Sequence, residues 1–197
     1  MSAAGAATGA APARSAPPDR PPGGPERSRW AFGQEVAAEA WGPELGTLLD
    51  RLDLHDGDRV LDAGCGAGRL TRMLAERVRP SGEVLAIDAD PEAVAWAAWR
   101  LRDLAGTGAS IELRDGWVEH LPWPDAALDG AWCSAVLGYL ADPVEAMREL
   151  VRVVRPGGRI ILLTGDAARA TFLPIPPDLE ARLRAAERTI AGAGFRP

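Results

Sequence analysis

The stretch Val60-Leu61-Asp62-Ala63-Gly64-Cys65-Gly66-Ala67-Gly68-Arg69-Leu70 constrains the fold more than any other part of the chain. Arg59 to Ala63 has the apolar character of a central strand, interrupted by an acid at Asp62. Gly64, Gly66 and Gly68 then leave alternate positions without side chains, so the turn can adopt positive φ and a ligand can press against its peptide groups. A helix follows, with Leu70, Met73, Leu74 and Val78 on one face. Its amino end carries unpaired N–H groups and a partial positive charge, and it points into the turn.

Spacing narrows the chemistry. A dinucleotide fingerprint needs G-x-G-x-x-G, but the third glycine comes one residue early and Arg69 stands in its place. A phosphate-cradling G-x-x-x-x-G-K-[ST] needs a lysine, and the chain has none. Asp62-x-Gly64-x-Gly66-x-Gly68 resembles motif I of the class I S-adenosylmethionine-dependent methyltransferases. Glu83 to Asp88 reads as a second strand closed by an acid, twenty positions beyond Gly68. Nucleotide folds place a carboxylate at this distance, where it accepts hydrogen bonds from both hydroxyls of a ribose. Asp90-Pro91-Glu92 then opens a helix with an N-cap acid and a proline at N1, and Val94, Ala97, Leu101 and Leu104 form its expected buried stripe.

Ser110 to Arg114 predicts a third strand, and it runs into Leu121-Pro122-Trp123-Pro124-Asp125 and Leu128-Asp129. These landmarks resemble the methyltransferase branch that includes the ubiquinone and menaquinone biosynthesis enzymes. By their spacing, that branch's Gly-Asp-Ala falls on Gly116-Trp117-Val118. The resemblance therefore puts Trp117 where an adenine-contacting Asp or Asn usually stands. An indole cannot accept a bond from the adenine amino group, though it can stack on the ring and Val118 can offer its backbone N–H. Asp129 to Cys133 reads as a fourth strand with Ser134 at its carboxyl end. Asp142-Pro143-Val144-Glu145 opens a helix whose expected core face is Val144, Met147, Leu150, Val151 and Val154. Arg155-Pro156-Gly157-Gly158 is read as its stop, and Arg159 to Thr164 as a fifth strand.

Strand and helix alternate five times, which implies an α/β fold: a Rossmann-like, doubly wound, mostly parallel sheet. The resemblance spans residues 40 to 166 and implies S-adenosylmethionine as the cofactor. By it, Asp62, Gly64, Cys65, Gly66 and Gly68 hold the methionine end, Asp88 and Ala89 the ribose side, and Trp117 and Val118 the adenine. Ser134 lies near the methionine or the substrate. No residue earns a catalytic role, His120 included, and no metal is expected. The implied reaction is methyl transfer to a small-molecule acceptor. Two other readings stay open here: an NAD(P)-dependent oxidoreductase, opposed by the glycine spacing, and a cofactor-binding but inactive partner protein, favoured by Trp117 and the short carboxyl end.

The rest of the 197 residues fits one domain, 29–197, behind an Ala/Pro/Gly-rich tail, 1–28, too poor in large apolar groups to order itself. Trp30, Phe32 and Trp41 predict a helical segment before the first strand, followed by Leu45, Leu48, Leu49 and Leu52 at helical spacing. A net charge of -6 opposes a nucleic-acid partner, which needs a basic face. Two cysteines cannot build a disulfide framework, so reduced thiols in the cytoplasm are expected, with no membrane span. After Asp166 a helix carries Leu179, Leu183, Ala186 and Ile190. The resembling family adds two further strands there; without them the fifth strand keeps an open edge. The tail helix, a homodimer or partner chain, or a shortened form of the fold would each account for that edge.

Overall fold

The computed structural model describes residues 42–164 apart from residue 107. Five strands form within them: β1 (Arg59–Ala63), β2 (Glu83–Asp88), β3 (Ser110–Asp115), β4 (Leu128–Ser134) and β5 (Val154–Leu163). Four α-helices accompany them: α1 (Gly42–Asp50), α2 (Arg69–Val78), α3 (Pro91–Arg100) and α4 (Pro143–Val153). The strands pair in the order β3-β2-β1-β4-β5, and every pairing is parallel. The chain winds outward from β1 to β3, then returns past β1 to build β4 and β5. That reversal places a crevice at the carboxyl ends of β1 and β4, where such sheets bind ligands.

The central strands are apolar on both faces because both are covered. Leu61, Leu85, Ile87, Ala131 and Cys133 face Ala146, Leu150 and Val153 of α4. On the opposite face, Val60, Val84 and Trp132 pack with Leu45 and Leu49 of α1 and Leu74 and Val78 of α2. Trp132, Leu61 and Leu74 are fully buried, each burial worth about 2–3 kcal/mol. Helix starts follow the cap chemistry expected of them. Asp90 accepts from Glu92 N at 2.9 Å, and Asp142 Oδ1 accepts from Val144 N at 3.1 Å and Glu145 N at 3.0 Å. Such caps stabilise a helix by about 1 kcal/mol.

Four expectations need correction. No α-helix joins β3 to β4 among the described residues; an irregular segment of turns and bends, Gly116 to Ala127, links them instead, which breaks the expected alternation once. It lies on α4 through Arg152, whose Nη2 donates to Leu121 O at 2.9 Å and whose Nη1 donates to Trp123 O at 2.8 Å. Second, the fifth strand does not wait for the Pro-Gly-Gly turn. Leu128 already pairs with Val154 and Gly130 next pairs with Arg159, so Arg155 to Gly158 bulge out of one continuous β5. Third, of the face expected for α4, Leu150 and Val154 are buried, but Val144, Met147 and Val151 are exposed and Ala146 and Val153 are buried in their place. Apolar residues occupy two adjacent stripes of this helix, and spacing alone does not choose between them. Fourth, of the stripe expected for α3, Ala97 and Leu101 are buried but Val94 and Leu104 are only half-buried, and Ala93 and Trp96 are buried in their place.

The 1–28 tail, the segment bearing Trp30, Phe32 and Trp41, the helix bearing Leu179 and the two further strands all fall outside the described residues. Among the described residues, β5 is the outermost strand on its side, and no helix is long and apolar enough to cross a membrane.

Candidate functional site

The turn after β1 is built by three glycines with separate duties. All three have positive φ: 78° at Gly64, 50° at Gly66 and 83° at Gly68. A Cβ on Gly64 would lie 2.0 Å from Val136 Cγ2, and one on Gly68 would lie 2.9 Å from Ala97 Cβ. Those two positions are closed by the protein's own packing. A Cβ on Gly66 would meet nothing within 4 Å, so this peptide faces open space. Gly64 N and Cys65 N both donate to Ile87 O, at 2.8 and 3.0 Å, which ties the turn to the end of β2. Gly68 is the N-cap of α2 and has no side chain to satisfy that helix's first N–H groups.

Asp88, at the tip of β2, meets this turn directly. Its Oδ2 accepts from Gly66 N at 2.8 Å and its Oδ1 from Asp90 N at 2.9 Å. A carboxylate oxygen has two lone pairs, so each oxygen can still accept from a ligand hydroxyl. Asp62 sits behind the turn, 1% exposed, its Oδ2 accepting from Thr71 Oγ1 at 2.6 Å. Its Oδ1 is buried with no hydrogen-bond partner among the described residues, a deficit worth about 1–3 kcal/mol if nothing fills it. Burial pushes the Asp62 carboxyl up to about 7; the Thr71 bond opposes this and the charge of Asp88 adds to it. Burial likewise pushes the Cys133 thiol to about 12, and it raises Cys65 well above the usual thiol value, helped by Asp62 and Asp88. Neither thiol is therefore suited to be a nucleophile.

Asp62, Gly64, Cys65, Gly66, Gly68 and Asp88 thus come together. Ala89 follows Asp88 and is exposed, and half-buried Ser134 ends β4, which pairs with β1 beside the turn. Val118 is 4% exposed and its side chain belongs to the core, while the Trp117 indole is 61% exposed. Gly116 N donates to Asp88 O at 2.9 Å, which fixes the start of the linking segment at the β2 tip. The indole lines a cleft of about 470 Å3 with Glu119, His120, Ala141, Asp142 and Glu145, and neither Asp88 nor the glycine turn lines that cleft.

Sequence reasoning missed Thr71 and Glu119, and it placed Val136 only within a stretch, Ser134 to Leu140, expected to line the site. Thr71 had a signal: it is the one polar residue on the buried Thr71, Leu74, Ala75 and Val78 stripe of α2. The contact of Val136 with Gly64 had no signal, because it arises only when β4 is laid beside β1.

A parallel sheet with a glycine turn and an acid at the tip of the second strand serves several nucleotide-using families, so the comparison with known proteins decides among them. Residues 61–162 match a methyltransferase domain family. The chain belongs to that family. Curated relatives of this methyltransferase domain include a malonyl-acyl-carrier-protein O-methyltransferase from Serratia marcescens, 37% identical over 68% of this chain and 49% of that protein. A ubiquinone/menaquinone biosynthesis C-methyltransferase from Hahella chejuensis is 35% identical over 58% of this chain and 46% of its own. The chain spans about half the length of these curated relatives. Among solved structures, a SAM-dependent methyltransferase from Aquifex aeolicus aligns with a TM-score of 0.57 at 27% identity, covering 68% of this chain and 69% of its own.

Proposed function

We propose that this methyltransferase domain transfers a methyl group from S-adenosylmethionine to a small-molecule acceptor. The observation that carries the reading is the pairing of Gly66 N with Asp88 Oδ2 at 2.8 Å beneath a face of Gly66 that no described atom occupies. A bare peptide beside a carboxylate with spare lone pairs suits a polar ligand bearing vicinal hydroxyls. The orphaned Asp62 Oδ1 behind the same turn is an acceptor suited to an ammonium group. The residues present therefore fit the cofactor that the family implies. Asp62, Gly64, Cys65, Gly66 and Gly68 would hold its amino-acid end. Asp88 and Ala89 would hold the ribose, Trp117 and Val118 the adenine, and Ser134 would lie near the reacting end.

When bound, S-adenosylmethionine supplies a methyl group already activated on a sulfonium. The chain's own contribution is to bind, orient and exclude water. Asp88 fixes both the ribose side and the turn, so one carboxylate couples cofactor seating to loop geometry. Gly68, the N-cap of α2, brings no side chain to the turn, and the Thr71 backbone N–H of the helix's first turn bonds the Asp62 carboxyl. Asp62, poised near neutrality by burial, can keep or lose its proton as the bound partner demands. No described side chain is assigned as a general base; His120 is exposed and its backbone N–H bonds Trp117 O. The buried, reduced thiols suit the cytoplasm.

Tritiated S-adenosylmethionine incubated with the chain and a panel of quinol, phenol, amine and carboxylic-acid acceptors tests the reading. Label appearing in one acceptor class supports it. Binding of S-adenosylhomocysteine without label transfer to any class would point instead to an inactive cofactor-binding protein.

A further inference from the structure

Gly116 N donates to Asp88 O at 2.9 Å, and a Cβ on Gly116 would lie 2.9 Å from Ile87 Cδ1, so the chain leaves β3 pressed against the tip of β2. Trp117 is the next residue. It therefore stands one residue from the strand end that carries Asp88, the carboxylate assigned to the ribose. A purine is joined to that sugar by a single bond, so the base must lie in the region that Trp117 borders. The indole is 61% exposed, whereas Trp132 is fully buried. A large apolar plane left open beside the ribose carboxylate is a stacking platform for a base.

What this stretch offers to the edge of a purine is narrower. An indole donates through its Nε1–H and accepts nothing. Trp117 O already accepts from His120 N at 3.1 Å. The Val118 side chain is buried in the core, and its backbone N–H is a donor, suited to a ring nitrogen and not to an amino group. Glu119 Oε2 is closed to solvent. Asp142 and Glu145 line a cleft that neither Asp88 nor the glycine turn lines. Asp115 stands opposite Asp88 in the β2–β3 pairing, level with the ribose carboxylate and two residues short of the indole. No side chain from Gly116 to Val118 can therefore accept a bond from an exocyclic amino group. Such a group keeps its hydrogen bonds to water, and its removal costs little.

We propose that Trp117 recognises the cofactor's base by its face alone, so that this chain binds the purine ring without requiring the 6-amino group of adenine. Stacking tolerates changes at the edge because every purine presents a π-face. The inference rests on the S-adenosylmethionine reading, since it concerns that ligand's base.

Calorimetry on the full chain with three ligands is the test: S-adenosylhomocysteine, its 6-deamino analogue with hydrogen in place of the amino group, and S-ribosylhomocysteine, which has no base. Wild type is expected to bind the first two within about threefold of each other, and S-ribosylhomocysteine about tenfold more weakly or worse. Trp117→Ala should weaken the first two about tenfold and leave S-ribosylhomocysteine within about twofold, which also reports that the variant is folded. Trp117→Phe, which keeps an aromatic face, should bind all three within about threefold of wild type. A wild-type preference of about tenfold or more for the amino-bearing ligand overturns the proposal, as does an equal effect of Trp117→Ala on all three ligands. Both of those results leave S-adenosylhomocysteine binding intact. No binding of S-adenosylhomocysteine by wild type would instead defeat the cofactor reading, and this inference with it.

Discussion

Gly64 and Gly66 stand two residues apart with the same backbone handedness, and alanine should harm them in opposite ways. At either position a side chain must adopt positive φ, which costs about 1 kcal/mol. At Gly64 the new methyl would also lie 2.0 Å from Val136 Cγ2, and forcing that packing apart costs a further 1–3 kcal/mol or about that. Gly64→Ala should therefore lose roughly 2–4 kcal/mol, a fall in Tm on the order of 4–16 °C. Gly66→Ala has no clash to relieve and should lose only about 1 kcal/mol, or roughly 2–4 °C. Binding reverses the order. A methyl on Gly66 intrudes where the ligand is expected, and S-adenosylhomocysteine should bind about a hundredfold more weakly, near 2.7 kcal/mol. Thermal melts and calorimetry on both variants are the assay, with Val136→Ala as a third. Val136→Ala should destabilise the wild type yet restore much of the loss in Gly64→Ala, a coupling of about 1–3 kcal/mol. If Gly64→Ala melts with Gly66→Ala, or if Gly66→Ala binds like wild type, the division of duties among the glycines is wrong.

Three further outcomes follow from the same geometry. The buried Asp62 carboxyl has its folded value raised from 3.8 to about 7, so the stability it contributes is full below pH 4 and fades as pH rises toward 7. Urea midpoints at pH 5 and pH 8 should differ less in Asp62→Asn than in wild type, and an unchanged difference would clear Asp62 of the effect. Arg152→Lys should cost on the order of 2 kcal/mol by urea denaturation, because lysine cannot bond Leu121 O, Trp123 O and Glu149 together; a loss under about 0.5 kcal/mol would show that the linking segment does not depend on this clamp. Cys65 and Cys133 should react with Ellman's reagent far more slowly in the native protein than in urea at pH 8, and rapid native labelling would contradict their burial.

Much of the fold was legible because local chemistry and sheet position agreed. Asp90-Pro91 and Asp142-Pro143 cap the helices they were expected to open, and Leu45, Leu49 and Leu52 bury the face their spacing indicates. Periodicity failed where it was ambiguous. Val144, Met147 and Val151 mark one helical stripe and Ala146, Leu150 and Val153 another; the sheet chose the second. The Pro-Gly-Gly turn looked like a boundary, yet the pairing of Leu128 with Val154 had already begun β5 before it. At the site, the glycine turn and Asp88 could be read from spacing alone. The closure of Gly64 by Val136 and the orphaned oxygen of Glu119 depend on segments far apart in sequence, so no local pattern announces them.

Calorimetric titration of S-adenosylhomocysteine into wild type and Asp88→Ala tests the central claim most directly, because Asp88 is the group that joins β2 to Gly66. Micromolar binding, about -8 kcal/mol, that is largely lost in the variant is the expected result. Equal affinity in the two proteins, or binding of NAD in place of S-adenosylhomocysteine by the wild type, would contradict it.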